Sequence, residues 1–360
     1  VKNGRRITIA CRSDIILAVS DNPKLRFGVI GAGAFAAACH IPGLQSHPRA
    51  EVVAICGRRR EGAQALADRF GIETVHDDLA ELCARDDLDG ISICTPNAAH
   101  REQALLAFGH NKHVFCEKPL GLSVAEAEEM ASAAAASGRV HQVAFTFRYL
   151  YGVEELRRRV AAGDVGEPYL FRAHHEYWDG LRAHGWRELM GPSGGGVLYD
   201  LGSHLFDLAA FILGSIAEVK ADLQYLPRPG VETDDIATAS FRFASGIRGQ
   251  WQSSRITPQR GQNYVQVVGR DGALEALLSR GGVDSLRVAR PDKAGWEDLP
   301  LPAEARDGQT HALGRMMRSF VDACLRGGIA EGDASFEDGL AVQRALTAAE
   351  MSASGGWVIA

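Results

Sequence analysis

The chain reads as an α/β protein of two domains: an N-terminal doubly wound parallel sheet, then an α+β domain with an open, mainly antiparallel sheet. Three observations predict this. From Leu25 to Phe145 short apolar runs alternate with alanine-rich stretches of helical character, the pattern of parallel strands joined by helices. From Tyr151 onward the texture changes to strand-like pieces joined by glycine-containing turns. A length of 360 residues suits two domains. The expected division is an extension over 1–24, a first domain over 25–148 and a second domain over 149–360 whose last helices pack back on the core.

Composition narrows the function. The chain is 46% hydrophobic and 23% charged with a net charge of −6, and it has no long basic block, which argues against nucleic acid as a partner. No apolar run approaches the roughly 20 residues of a membrane helix. The seven cysteines are odd in number and lack C-x-x-C spacing, which fits free thiols in a reducing cytoplasm. Arg5-Arg6 opens a segment whose apolar stretch is short and broken by Arg12 and Asp14, so it reads as an extension rather than an export signal.

The elements follow in order. Leu25 to Ile30 has the apolar run of a buried strand and leads into Gly31-Ala32-Gly33-Ala34-Phe35-Ala36, then a helical run. A small residue permits the tight turn at Gly31 and close backbone approach at Gly33, and Ala36 keeps the helix near the sheet. The first-turn N–H groups then face a pyrophosphate. The competing reading is an ordinary strand–helix turn. Glu51 to Cys56 is the second strand. Gly57 stands where an acid would meet ribose hydroxyls, and Arg58, Arg59 and Arg60 follow. Guanidinium forks bind a 2′-phosphate with charge-assisted bonds of about 1.5–3 kcal/mol each, so NADP is expected over NAD; a solvated basic helix start is the alternative. Gly90 to Thr95 is a strand closed by Pro96-Asn97, with a helix over 98–108. The strand His113 to Cys116 ends in Glu117-Lys118-Pro119. Ser123 and Glu126 form a capping box for a helix ending at Gly138, and Val140 to Phe145 closes the alternation. Thr95-Pro96-Asn97 and Glu117-Lys118-Pro119 stand at strand carboxyl ends, where such sheets bind ligands.

In the second half a charged helix (154–162) ends at Gly163, and Tyr169 to Tyr177 reads as a strand. Gly194-Gly195-Gly196 leads into a helix over 200–213. Strand-like pieces follow over 218–225, 236–243, 246–253, 264–268 and 272–278, with hairpin turns at Ala244-Ser245-Gly246 and Gly269-Arg270-Asp271-Gly272. Segments 226–230 and 290–302 read as surface loops, and helices are expected over 311–326 and 336–354.

Four features now stand in one order: Gly31-x-Gly33-x-x-Ala36, Glu117-Lys118-Pro119, Trp186-Arg187, and Gly194-Gly195-Gly196-x-x-x-Asp200-x-Gly202-x-His204-x-x-Asp207. Together they resemble the glucose–fructose oxidoreductase / inositol dehydrogenase / MocA (Gfo/Idh/MocA) family of NAD(P)-dependent sugar and polyol oxidoreductases, from about Leu25 to the last helix. The resemblance implies a Rossmann first domain. It implies Lys118 and His204 at the reacting carbon with Asp200 beside them, and Thr95, Asn97, Glu117 and Trp186-Arg187 against the cofactor. The full expected cofactor set is Gly31, Gly33, Ala34, Phe35, Ala36, Arg58, Arg59, Thr95, Pro96, Asn97, His100, Glu117, Lys118, Trp186 and Arg187. One departure is Phe145-Thr146-Phe147-Arg148 where the family often has Phe-Asn-x-Arg, since Thr146 cannot make every contact of an amide.

The chemistry of the residues agrees without the resemblance. Moving a hydride between an alcohol carbon and nicotinamide requires a proton to move on the oxygen and a donor or cation near it. Lysine at a strand end supplies the cation. Asp200 and His204, four apart on a helix, share a face, so the carboxylate can orient the imidazole. The competing assignments are a helix cap for Asp200, a core histidine for His204 and a solvated lysine at 118. His174-His175-Glu176 lies on a strand, where neighbours face opposite ways, so no metal is expected. Ser193 lacks the strand-to-helix context of a hydrolase nucleophile, and His40 and Pro42 interrupt the first helix. The expectation is an oxidoreductase acting on CH–OH groups of a sugar, polyol or cyclitol, working as a homo-oligomer through its second sheet. Two alternatives are a lyase or glycosidase using tightly held NAD for transient oxidation, and a non-catalytic dinucleotide sensor.

Overall fold

The computed structural model describes residues 23–180, 185–258, 263–278 and 285–360. Nearly all of the 1–24 extension, with its Arg5-Arg6 pair and Cys11, lies outside the described residues. The first sheet holds β1 (Leu25–Ile30), β2 (Ala50–Cys56), β3 (Thr74–His76), β4 (Gly90–Ile93), β5 (His113–Cys116) and β6 (His141–Val143). Their order is β3-β2-β1-β4-β5-β6, and every pairing is parallel. The order reverses between β1 and β4, so the carboxyl end of β1 opens on the crevice where such sheets take ligands. The apolar runs of β1, β2 and β4 are buried because helices cover both faces.

Several expected boundaries change. β3 and the short helix Leu79–Cys83 fall where the sequence reading placed no element. The 140–145 strand stops at Val143, and a 3-10 turn, Thr146–Tyr149, carries the chain onward. The capping box at Ser123 is half made. The Ser123 hydroxyl accepts from Glu126 N, but the Glu126 carboxylate accepts from Leu122 N instead of the cap residue.

The second sheet holds β7 (Pro168–Glu176), β8 (Ile216–Gln224), β9 (Ile236–Phe243), β10 (Arg248–Ser254), β11 (Tyr264–Gly269), β12 (Gly272–Leu277), β13 (Leu286–Ala289), β14 (Glu297–Leu299) and β15 (Val358–Ile359). It is mainly antiparallel, with one parallel pair, β7 beside β10. Both expected hairpins form, β9 to β10 and β11 to β12. The 290–302 loop is corrected: it contains β14, paired with β13. The inner face carries Phe171, Phe241, Phe243 and Trp251, against which Phe206 of the helix Ser203–Leu213 packs edge-on.

The stretch Met190–Leu213 is long and apolar enough to cross a membrane by length and composition, contrary to the sequence reading, but most of it is buried inside the protein. It supplies the core between the sheets. The last two helices, Gly308–Arg326 and Phe336–Ser352, return to the first domain: Phe320 meets Phe27 and Phe115, and Phe336 meets Phe108.

The junction after β6 is held by charge. Arg148 donates to both oxygens of Asp207, at 2.6–3.1 Å, and to Asp338 at 3.1 Å. Burial pushes the Asp207 carboxyl up to about 6 against the pull of Arg148; at neutral pH the pair remains charged and clamps the Ser203–Leu213 helix to the junction. Thr146 makes no amide-like network: its hydroxyl reaches Met316 Sδ at 3.6 Å.

Candidate active site

The glycine turn sits where the sheet order reverses. Gly31 has φ +113°, and a Cβ there would meet Cys94 O at 2.6 Å, so glycine is required on both conformational and steric grounds. Gly33 differs. A Cβ on it would touch nothing within 4 Å, and Gly33, Ala34 and Phe35 are all exposed. The open space over Gly33, at the start of a helical segment, fits a dinucleotide phosphate rather than any group of the protein. This gives a clean expectation. Gly33→Ala should leave the melting temperature within about 2 °C, since the added Cβ meets no neighbour, while dinucleotide binding followed by calorimetry is weakened. A variant that binds normally removes Gly33 from the cradle.

Helical structure then runs through a π turn, Ala36–His40, into Ile41–Gln45. His40, which interrupts the expected helix, is fully buried. It lies 2.7 Å from Ser92 Oγ and 3.1 Å from Glu117 Oε1, tying the glycine turn to β4 and to the end of β5.

At the end of β5 the chain places Lys118. Its Nζ donates to Asp200 Oδ1 at 2.7 Å and to the Asp200 carbonyl at 2.6 Å, and the two side chains are 12% and 23% exposed. Accessibility of this pair to a ligand separates it from a closed core ion pair such as Arg148–Asp207. Tyr177, just past β7, brings its hydroxyl to 3.4 Å from Asp200 Oδ2, and Arg187 Nε lies 3.9 Å from Oδ1. Sequence reading missed Tyr177, because no local pattern marks a tyrosine at a strand end.

The helix expected over 200–213 begins earlier and in another form. Leu198–Gly202 is a π turn running into an α-helix over Ser203–Leu213. Asp200 lies in the wider turn and His204 in the first turn after it. The His204 ring is 4.6 Å from Phe147 and 6.1 Å from Phe145, centroid to centroid, at the end of the first domain. Lys118 thus meets Asp200 across 82 positions of sequence, and His204 follows on the same helical segment.

Other expected residues divide between open and occupied. Arg58 and Arg59 are exposed, with no ion pair among the described residues. The absence of an acid at Gly57 also has a steric reason, since a Cβ there would lie 2.8 Å from Ala32 Cβ. Trp186 and Arg187 stack on each other, the guanidinium carbon 4.5 Å from the ring centroid. Thr95 Oγ1 donates to Gln103 Oε1 at 2.7 Å, and Pro96 precedes the short 3-10 turn over Asn97–Ala99.

Two further expected residues make bonds within the protein. The Asn97 amide is buried and donates to Ser193 O at 2.8 Å, linking the domains. His100 is fully buried, with its ring nitrogens 3.0 Å from the carbonyls of Pro119 and Thr95. Burial pushes its pKa below the ordinary histidine value. A neutral ring has one N–H to donate, so it bonds one of these two carbonyls and lies against the other between the loops that flank the site. His174 Nε2 lies 3.2 Å from Glu176 Oε1 and the ring stacks on Tyr264.

Comparisons with known proteins identify the family. The model for the GFO_IDH_MocA oxidoreductase family, an NAD-binding Rossmann fold, matches residues 25–145. That of the family's C-terminal domain matches 153–275. A 1,5-anhydro-D-fructose reductase of Ensifer adhaerens is 30% identical over 279 residues, 77% of this chain and 83% of that enzyme. D-glucoside 3-dehydrogenase of Escherichia coli K12 is 34% identical over 197 residues, spanning 55% of this chain and 56% of that enzyme. A levoglucosan dehydrogenase, solved with NADH and levoglucosan, superposes at a TM-score of 0.85 with 27% identity, over 93% of this chain and 99% of that one.

Proposed function

The chain belongs to the Gfo/Idh/MocA oxidoreductase family, and on that premise we propose that it oxidises or reduces a hydroxyl or keto carbon of a sugar, polyol or cyclitol. The observation that carries this is the Lys118–Asp200 pair, accessible at the carboxyl end of β5, with His204 on the same helical segment as Asp200. The names of the relatives, which speak of anhydrofructose, glucosides and levoglucosan, support the substrate class.

A bound nicotinamide dinucleotide supplies the hydride acceptor or donor. The chain's own residues do the rest. The glycine turn leaves room for phosphate over Gly33. Lys118 holds an ammonium at the substrate oxygen, where charge develops as the carbon changes oxidation state. His204 takes the hydroxyl proton in oxidation and returns it in reduction. Asp200 fixes the ammonium by two hydrogen bonds and, with Tyr177, lines the place where the oxygen sits. A panel of sugars, polyols and cyclitols, followed by nicotinamide absorbance, tests the reading. No response from any member with either dinucleotide would refute it.

The preference for NADP(H) rests on Arg58 and Arg59, exposed at the end of β2. Replacing both by alanine should weaken the phosphorylated dinucleotide by about 2–4 kcal/mol if two charged contacts are lost, with NAD(H) binding unchanged. Equal loss for both dinucleotides would remove the assignment. The same reading includes a homo-oligomer through the open face of the second sheet, which sedimentation at the monomer mass would overturn. It also includes a cytoplasmic location, supported by the free thiols at Cys39, Cys56, Cys83, Cys94, Cys116 and Cys324; fractionation that finds the protein only outside the cytoplasm would remove it.

A further inference from the structure

The segment carrying Asp200 and His204 is set by a residue outside the motifs. Asp234 stands in the turn before β9, with its side chain buried. Its Oδ1 accepts from Gly196 N at 2.6 Å and its Oδ2 from Leu198 N at 2.8 Å, while its carbonyl accepts from Val197 N at 3.1 Å. Three successive N–H groups at the start of the π turn are therefore satisfied by one distant residue. The opening donors of a helical segment have no partners within it. The third glycine of the Gly194-Gly195-Gly196 run has its reason here as well: a Cβ on Gly196 would lie 2.0 Å from Asp234 O.

Contacts run from this clasp to the site. Gly196 O accepts from Asp200 N at 2.9 Å, and the Asp200 carbonyl and carboxylate both hold Lys118 Nζ. The neighbouring residues of the same loop grip the Trp186-Arg187 segment: Thr233 Oγ1 donates to Arg187 O at 3.3 Å, and Glu232 N to Glu188 O at 2.8 Å. Burial raises the Asp234 carboxyl, and the Leu198 and Gly196 N–H groups pull in the opposite direction.

We infer that Asp234 is the positioning residue of the active site, its carboxylate fixing the π turn so that Asp200 meets Lys118. The inference rests on the proposed dehydrogenase reading for its kinetic consequence but not for its geometric one. Asp234→Asn keeps the shape and replaces one acceptor by an N–H₂ group facing a backbone N–H. Two readouts test it. The first needs neither substrate nor dinucleotide: amine acylation of the folded protein, with each lysine quantified by peptide mass spectrometry. Lys118 should label at least about threefold faster in Asp234→Asn as its clasp loosens, with exposed Lys220 and Lys293 unchanged. The second is steady-state kinetics on the sugar found in the panel. Turnover should fall about 10- to 100-fold, the loss expected of a misplacement of about 1 Å, with KM and dinucleotide affinity within about threefold. Circular dichroism and melting identify a variant that has lost its fold, and Asp234→Ser, which keeps one acceptor, should then show the same Lys118 effect in a smaller degree. Unchanged Lys118 labelling in a folded variant overturns the inference, whatever sugar is turned over. A panel without activity alongside faster Lys118 labelling would instead count against the dehydrogenase reading and leave Asp234 in its role.

Discussion

His204→Ala is expected to reduce turnover by about 100- to 10,000-fold, the usual worth of a positioned acid–base group. The ring lies against Phe147 and Phe145, at the meeting of the domains, on the same helical segment as Asp200. An ordinary imidazole titrates near about 6.5, whereas an ordinary ammonium titrates near about 10.4 and offers little free base at neutral pH. On the proposed reading the histidine accepts the hydroxyl proton and the ammonium stabilises the oxygen. With the chemical step limiting, the pH–rate profile for oxidation should show an acidic limb in the wild type, where protonated His204 cannot act as base. That limb should vanish in His204→Gln. An acidic limb that persists unchanged would take the proton away from His204 and give it to Lys118.

Lys118→Ala should lower turnover by about 100- to 1,000-fold, as removal of one stabilising donor does in other oxyanion sites, with dinucleotide affinity within a few-fold. The removal also strands Asp200, whose carboxylate and carbonyl both face Nζ, so some distortion of the π turn adds to the loss. Lys118→Arg should rescue poorly. Its guanidinium is planar and bulkier, and it cannot sit as a point charge between a carbonyl and a carboxylate 2.6–2.7 Å away. Near-normal turnover in either variant would end the assignment.

The sequence makes the first domain readable for local reasons. Each long strand is an apolar run ending at a glycine, a proline or a charged turn, and the turn at Gly31 demands a glycine for its backbone. β3 and β14 escape notice because they are three residues long, polar and only partly buried; their identity comes from β2 and β13 beside them. The candidate site divides the same way. Lys118, Asp200 and His204 stand in motifs with fixed spacing, whereas their partnership depends on the sheet topology. Lys118 and Asp200 lie 82 positions apart. The Asn97 amide N–H₂ donates to Ser193 O and the His100 ring lies between the Pro119 and Thr95 carbonyls, partners that only the folded chain brings near. The π turn at Leu198–Gly202 is equally invisible locally, because the groups that fix it belong to Asp234.

The central claim is net hydride transfer, and the most direct measurement follows a label. A sugar that responds in the panel, deuterated at the carbinol carbon, is turned over with oxidised dinucleotide, and both products are read by mass spectrometry and NMR. One deuterium is expected on the nicotinamide ring for each ketone formed. Turnover that leaves the dinucleotide in its starting redox state and yields a cleaved or eliminated product would contradict it, and would establish transient oxidation in service of a lyase or glycosidase.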